Sequence, residues 1–317
     1  MNHVFLMDPL EGVKIEKDTT FALMLGASRR GHRTFYLPDG GITRENGVTS
    51  FHVQEVRARR DAESPFEIIE ETLLEESAVD VLWIRTDPPF SGNYLTNTWL
   101  LDLLPESVVT INSPSGIRTV NEKIWATQFT EFTPPTLVGR TKADLTAFLR
   151  EHDTIIVKPT DGFGGQGVFR LASGEKNVNV TLEMLTGQFT RDIIAQKYVP
   201  EAEDGDKRIL LLDGEPLGAV LRLHGQDDHR NNFFSGGKPY VTDITGRDLE
   251  VIAALKPHLK RLGLYFVGID MLGDYLVEVN VTSPTCLQEM NILYDCRLED
   301  KVIEFSENLV DRARVKP

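Results

Sequence analysis

Residues 266–285, Phe-Val-Gly-Ile-Asp-Met-Leu-Gly-Asp-Tyr-Leu-Val-Glu-Val-Asn-Val-Thr-Ser-Pro-Thr, leave this chain few choices but a β-hairpin. Apolar and polar residues alternate along two arms that meet at Gly273-Asp274, the pattern of half-buried strands. The register decides what such a hairpin can do. A two-residue Gly-Asp loop opposes Asp270 to Val277 and leaves Asp270 and Glu278 on opposite faces, because a slip of one residue flips every side chain. A three-residue loop over 273–275, or an equivalent bulge, opposes Asp270 to Glu278. It also gathers Ile269, Met271, Val277 and Val279 on one apolar face, and for that reason it is the register we expect. Two carboxylates set across from each other are unfavourable unless a cation lies between them. With the Asn280 amide oxygen they form a hard donor set suited to Mg²⁺. A surface hairpin with a solvated acidic face is the other reading of these residues.

The first third of the chain reads as strand 4–7, a helix from the Asp18 cap to Arg30, and strand 34–37. A strand–helix–strand opening argues for a parallel sheet. Residues 40–60 show no pattern, 65–76 read as an acidic helix, and 79–85 as the next strand. Arg85-Thr86-Asp87-Pro88-Pro89-Phe90 is a stiff turn at a strand's C-terminal end, where open α/β sheets collect ligands. An ordinary proline-rich connector is the alternative. Helix 94–104, strand 108–112 and a turn at 113–116 follow, and a first domain boundary falls near residue 120. Beyond it the pattern predicts a helix over 121–132 carrying Lys123, then helices at 142–151, 180–187, 248–262 and 299–314. Strands are expected at 137–138, 154–159, 168–171, 193–199, 209–212 and 219–223. The long polar stretch 224–239, with Arg230, has the length and composition of a functional lid or a disordered loop.

Gly162-Phe163-Gly164-Gly165-Gln166-Gly167 matches the dinucleotide fingerprint letter for letter, but the context is wrong. That motif needs a helix to begin at its glycines, and strand 168–171 follows here. A P-loop is excluded too, because no Gly-Lys-Ser/Thr follows. A glycine loop joining two strands can instead fold over a triphosphate with its backbone N–H groups bare, and Lys158 just upstream can reach the phosphates. A mobile turn beside a surface lysine is the plainer alternative.

The formal charge of −14 makes the chain a poor general partner for nucleic acid or an anionic membrane. Its two cysteines, Cys286 and Cys296, give neither a disulfide framework nor a Cys-x-x-Cys site, which fits a reducing cytoplasm. No stretch approaches the ~18 apolar residues of a membrane span and no signal-peptide pattern opens the chain. We expect a soluble, cytoplasmic protein.

Taken together, Met7-Asp8-Pro9, Arg85-x-Asp87-Pro88-Pro89-Phe90, Asn121-Glu122-Lys123, Val157-Lys158-Pro159-x-Asp161-Gly162, Gln196-Lys197-Tyr198-Val199-Pro200, Gly205-Asp206-Lys207-Arg208 and Glu278-Val279-Asn280-Val281-Thr282-Ser283-Pro284-Thr285-Cys286 resemble the bacterial glutathione synthetases of the ATP-grasp superfamily, over essentially the whole chain. The resemblance implies an α/β and α+β fold. A parallel α/β domain (1–120) would be followed by a small lobe with the glycine loop (121–202) and a C-terminal lobe (203–317) carrying the lid and the hairpin. ATP would lie between the lobes. By the same resemblance Lys123, Lys158, Gly164 and Gly165 hold phosphates, while Gln196, Lys197, Tyr198 and Val199 face adenine and Asp206 the ribose. Asp270, Glu278 and Asn280 hold two Mg²⁺, with Mn²⁺ as a substitute. Of the catalytic arginines, Arg208 and Arg222 face the reacting carboxyl and Arg230 lies on the lid, and Arg85, Asp87, Ser283 and Thr285 bind substrate. The implied reaction joins γ-glutamylcysteine to glycine through an acyl phosphate, in a homo-oligomer (dimer or tetramer). Where the family more often has proline, glutamate and lysine, this chain has His224, Asp228 and Thr86. Two alternatives are a ligase for another carboxylate–amine pair and a non-catalytic nucleotide-binding protein.

Overall fold

The computed structural model describes residues 1–162, 164–223 and 237–315. Three sheets occupy successive stretches of the chain. The first contains β1 (Asn2–Leu6), β2 (Arg33–Leu37), β3 (Ile42–Glu45), β4 (Val48–Ala58), β5 (Phe66–Glu75), β6 (Val81–Ile84) and β7 (Val109–Ile111). Its order is β3-β4-β2-β1-β6-β7, with β5 on the other edge of β4. β1 pairs in parallel with both β2 and β6, and β6 with β7. This meets the expectation of a parallel opening. Helix α1 (Thr19–Arg29) begins where Asp18 Oδ1 accepts the Phe21 N–H at 2.7 Å, a side-chain cap for an orphan donor. α2 (Gly92–Leu101) is capped the same way by Ser91.

Four local readings differ from the structure. Residues 65–76 are not a helix but β5, paired antiparallel to β4 over its whole length. Glu and Leu favour helix only weakly, and strand pairing overrides them. Phe66 sits opposite Ala58 and meets Phe21 edge-on at 5.5 Å, and Leu74 sits opposite Phe51 in the core. The patternless 40–60 stretch holds β3 and all of β4. The 113–116 turn is the start of α3 (Pro114–Thr119), with Ser113 as cap and Pro114 in the first turn. Finally, 121–132 holds only a 3-10 turn, Trp125–Gln128. Asn121 Oδ1 accepts the N–H groups of Lys123 and Ile124 at 3.1 and 2.9 Å, a local bond that competes with helix.

The second sheet, ordered β10-β9-β11-β8, comprises β8 (Thr136–Gly139), β9 (Thr154–Pro159), β10 (Phe169–Ala172) and β11 (Ile193–Lys197). Helices α4 (Lys142–His152) and α5 (Val178–Leu185) accompany it, and Leu145, Leu149, Ile155, Val157, Leu182 and Ala195 make a small core of its own. The third sheet, ordered β14-β13-β12-β15-β16, comprises β12 (Asp206–Leu212), β13 (Glu215–Leu223), β14 (Lys238–Tyr240), β15 (Phe266–Leu272) and β16 (Tyr275–Asn280). β14 takes the end of the stretch expected to be a lid. Helices α6 (Gly246–Arg261), α7 (Leu287–Tyr294) and α8 (Leu298–Val315) complete the chain. The first and third sheets share cores: Val4, Phe35 and Leu82 cluster with Ile209, Val267 and Val279, and Phe5, Trp83 and Ile303 with Leu210, Val220 and Phe266. Among the described residues no helix is long and apolar enough to cross a membrane.

Candidate active site

The hairpin meets the expected pairing through the bulge and not through a three-residue loop. Its turn has two residues, with Leu272 opposite Tyr275, yet Asp270 lies opposite Glu278. A bulge absorbs the difference: Met271 pairs with Leu276, and the next paired step jumps to Asp270 and Glu278, leaving Val277 as the extra residue. The apolar face is therefore Ile269, Met271, Leu276 and Val279, all buried, and Val277 turns to the cleft with Glu278. The expectation of Val277 on the core face is thus corrected, while the pairing of the two carboxylates stands.

The second sheet faces this hairpin. Alternation along β9 sends Ile155 and Val157 into the small core and Ile156 and Lys158 into the cleft. Lys158 is buried beside Gln196 on β11, with Nζ 3.4 Å from Gln196 Oε1. Burial lowers its ammonium to about 8, since the charged form loses hydration. Tyr198 and Val199 continue past the end of β11 along the same wall as Lys197. Gly164 and Gly165 roof the site with φ of 59° and 75°, a left-handed conformation that glycine adopts without strain. A Cβ on Gly162 would meet Pro159 Cγ at 2.7 Å.

The charged groups form two clusters. In the first, Lys123 Nζ donates to Glu278 Oε1 at 2.7 Å and to the Gly162 carbonyl at 2.5 Å, tying hairpin to glycine loop. Burial works against the ammonium, but Glu278 outweighs it and raises the Lys123 pKa. In the second, Arg208 grips Asp270 through Nε and Nη2, the latter at 2.9 Å. Arg222 reaches Asp270 at 3.1 Å and grips Asp206 at 2.6 and 2.7 Å. Burial alone would raise the Asp270 pKa, but the two guanidiniums overcome it and hold the carboxyl well below the usual range.

Glu122, which sequence reasoning passed over, joins these parts. Its Oε1 accepts the N–H groups of Val281 and Thr282 and the Thr282 hydroxyl at 2.8, 3.0 and 2.9 Å. Its carbonyl accepts the Val279 N–H at 2.9 Å. Its only sequence signal was its place beside Lys123. Ile156, Val168, Leu272 and Val277, the apolar walls, were also missed; Ile156 and Leu272 each lie two residues from a charged group on the same strand.

Lys123, Lys158, Gly164, Gly165, Gln196, Lys197, Tyr198, Val199, Asp206, Arg208, Arg222, Asp270, Glu278 and Asn280 thus all line one cleft, together with Asp87, Ser283 and Thr285. Arg85 lies behind this lining, 4% exposed, its Nε donating to Thr20 Oγ1 at 3.1 Å and its Nη2 to the Pro284 carbonyl at 2.9 Å. Arg230 and the stretch 224–236 lie outside the described residues. Asp270, Glu278 and Asn280 supply adjacent hard oxygen donors, a set that fits Mg²⁺ when water and phosphate complete the shell. The described residues contain no cluster of three or more His, Cys, Asp or Glu that could hold a metal unaided.

Two family models account for most of the chain: prokaryotic glutathione synthetase, N-terminal domain, over residues 1–118, and prokaryotic glutathione synthetase, ATP-grasp domain, over residues 122–295. The glutathione synthetase of Pseudomonas aeruginosa is 40% identical over 301 residues, 94% of this chain and 95% of that protein. That of Escherichia coli K12 is 39% identical over 287 residues, 90% of this chain and 91% of that protein. Among solved structures, D-cycloserine synthetase DcsG superposes with a TM-score of 0.65 at 16% identity, covering 98% of this chain and 99% of that one. D-alanyl-alanine synthetase A from Vibrio cholerae gives 0.60 at 13% identity, covering 98% of each. These two share the fold. At about 40% identity across nearly the full length, with both domain models matched, the chain belongs to the prokaryotic glutathione synthetase family of ATP-grasp ligases.

Proposed function

We propose that the cleft joins γ-glutamylcysteine to glycine at the expense of ATP, releasing glutathione, ADP and phosphate. The observation that carries this reading is the convergence of Lys123, Lys158 and the Gly164-Gly165 roof on the paired carboxylates Asp270 and Glu278, from separate parts of the chain. A carboxylate is a poor electrophile, so its oxygen first takes the γ-phosphoryl group of ATP and ADP leaves. Glycine's neutral amine then attacks the acyl carbon, the C–O bond to phosphate breaks, and the nitrogen gives up a proton. The first step brings anions together, and the protein's task is electrostatic.

Lys123 and Lys158 are assigned to the ATP phosphates under the glycine roof. Gln196, Lys197, Tyr198 and Val199 take the adenine, between the apolar walls of Ile156 and Leu272, and Asp206 the ribose. Arg208 and Arg222 are assigned to the reacting carboxyl and the oxyanion that forms from it. Asp270 and Asp206 already hold both guanidiniums in place, so little reorganisation is needed at the moment of reaction. Arg85, Asp87, Ser283 and Thr285 are assigned to the dipeptide. Two Mg²⁺, with Mn²⁺ as a substitute, would be held by Asp270, Glu278 and Asn280 and would neutralise phosphate charge. The protein would work in the cytoplasm as a homo-oligomer. Lys123, Lys158, Arg208, Asp270, Glu278 and Asn280 are all present, which disfavours a non-catalytic reading. The test is glutathione formation from MgATP, γ-glutamylcysteine and glycine. ATP turnover that does not depend on glycine, or turnover only with another amino acid, would reject this substrate pair.

A further inference from the structure

β16 ends at Asn280, whose partner on β15 is Gly268. The chain runs on through Val281 and Thr282 to Ser283 and Thr285, so one short stretch joins residues assigned to metal with residues assigned to the dipeptide. Val281 and Thr282 are buried and lie beyond the last strand pair, so their N–H groups find no partner in the sheet. Both go to one atom, Glu122 Oε1, at 2.8 and 3.0 Å, and the Thr282 hydroxyl donates to the same oxygen at 2.9 Å. The Glu122 carbonyl takes the N–H of Val279, the residue between Glu278 and Asn280, at 2.9 Å. Asn112 Nδ2 holds the Val281 carbonyl at 2.8 Å, so the stretch is gripped by a second group as well. Burial and the neighbouring Glu278 push the Glu122 carboxyl above the usual range. Its negative charge is therefore a cost at this place, and its geometry as an acceptor is what the fold uses.

We propose that Glu122 is a positioning residue for the ligase reaction. It sets where Glu278 and Asn280 stand relative to Ser283 and Thr285, and so aligns the phosphoryl donor with the carboxylate that receives it. This rests on the ligase reading above and deepens it, by giving a part to a residue that the reading leaves without one. Groups that orient metal ligands from behind govern metal affinity or activity by about 10–100-fold. A displacement of about 1 Å at the reacting atoms costs about 10²-fold in rate. Glu122 acts on both quantities through the backbone of 279–282, with Oε1 already occupied by three donors.

The test compares Glu122→Gln and Glu122→Ala in the full chain. Three quantities are read: melting temperature, affinity for Mn²⁺ in the presence of ADP by electron paramagnetic resonance, and steady-state kinetics with MgATP, γ-glutamylcysteine and glycine. The glutamine oxygen can accept the same three donors, so Glu122→Gln should stay within about threefold of the parent in Mn²⁺ affinity and kcat. Glu122→Ala leaves those donors bare. Its Mn²⁺ affinity should fall by about tenfold or more and its kcat by about 10²-fold, far more than the KM for γ-glutamylcysteine rises. If Glu122→Ala does not melt cooperatively, Glu122→Asp takes its place. One methylene shorter, it cannot reach all three donors, and it should lose both Mn²⁺ affinity and kcat relative to Glu122→Gln. Parent-like Mn²⁺ affinity and kcat in the shortened variant overturn the assignment. So does a Glu122→Gln as impaired as the shortened variant, since charge and not acceptor geometry would then be what matters. A parent that binds Mn²⁺ with ADP but makes no glutathione overturns the ligase reading instead, and the metal affinities still judge Glu122.

Discussion

Two sets of cations at the cleft are held in different ways. Arg208 and Arg222 lie between Asp270 and Asp206, and Lys123 lies on Glu278. Arg85, behind the lining, hydrogen-bonds only to the neutral oxygens of Thr20 and Pro284, with Asp18 and Asp87 acting on it from farther away. The first set is compensated by direct ion pairs, so its geometry is fixed before a ligand arrives. The second is held by neutral hydrogen bonds and longer-range charge. Direct ion pairing and neutral bonding are thus two ways of fixing a buried cation around one cleft. A substitution should reveal which it touches by whether stability or affinity changes.

Removing a partner from the ion-paired set should have the largest effect. Asp270→Asn leaves two buried guanidiniums short of charge, and we expect a loss of about 3–5 kcal/mol in urea denaturation together with near-complete loss of turnover. A variant as stable as the parent would break the contrast at its strongest point. Arg85→Met should cost less, about 1.5–3 kcal/mol, because hydrogen bonds to neutral oxygens are lost but no direct ion pair is, while the KM for γ-glutamylcysteine rises far more than that for ATP. Glu278→Gln tests chemistry apart from folding. Turnover should fall by about 10²–10³, with stability within about 1 kcal/mol of the parent because the Glu278 pair is only partly buried.

The smallest effects come from titration. Lys158, at about 8 in the folded protein against 10.5 ordinarily, should lose its charge as pH rises through about 8. Binding of ATP should weaken above that point, and Lys158→Arg should remove the dependence. Between the two values the unfolded chain holds more protons than the folded one, so Lys158 makes stability rise with pH across that window. Asp270 acts in the same sense, in an acidic window instead of an alkaline one. Its depressed pKa stabilises the fold above the ordinary carboxylate range and that contribution is lost on acidification. Melting temperatures across pH, for the parent and Lys158→Arg, check both windows.

Much of this arrangement was legible in the residues, and the failures have a common cause. Alternation fixed the hairpin faces closely enough to demand that Asp270 oppose Glu278, but no spacing rule told a longer loop from a bulge at Val277. The strand after Gly167 rightly excluded a dinucleotide fold. By contrast, β5 carries helix-favouring Glu and Leu and becomes a strand only because β4 is beside it. Asn121 ends a helical reading through its own side chain. Glu122 matters through contacts more than 150 residues away. A linear pattern does not carry such information.

The account's central claim is that the dipeptide's reacting carboxylate is activated as an acyl phosphate in a cleft organised to hold anions together. The most direct measurement uses γ-glutamylcysteine labelled with ¹⁸O in its C-terminal carboxylate, with MgATP and glycine, and reads the released phosphate by mass spectrometry. Each phosphate should carry one ¹⁸O from the peptide. Glutathione formed alongside unlabelled phosphate would contradict the mechanism and the charge arrangement inferred to serve it.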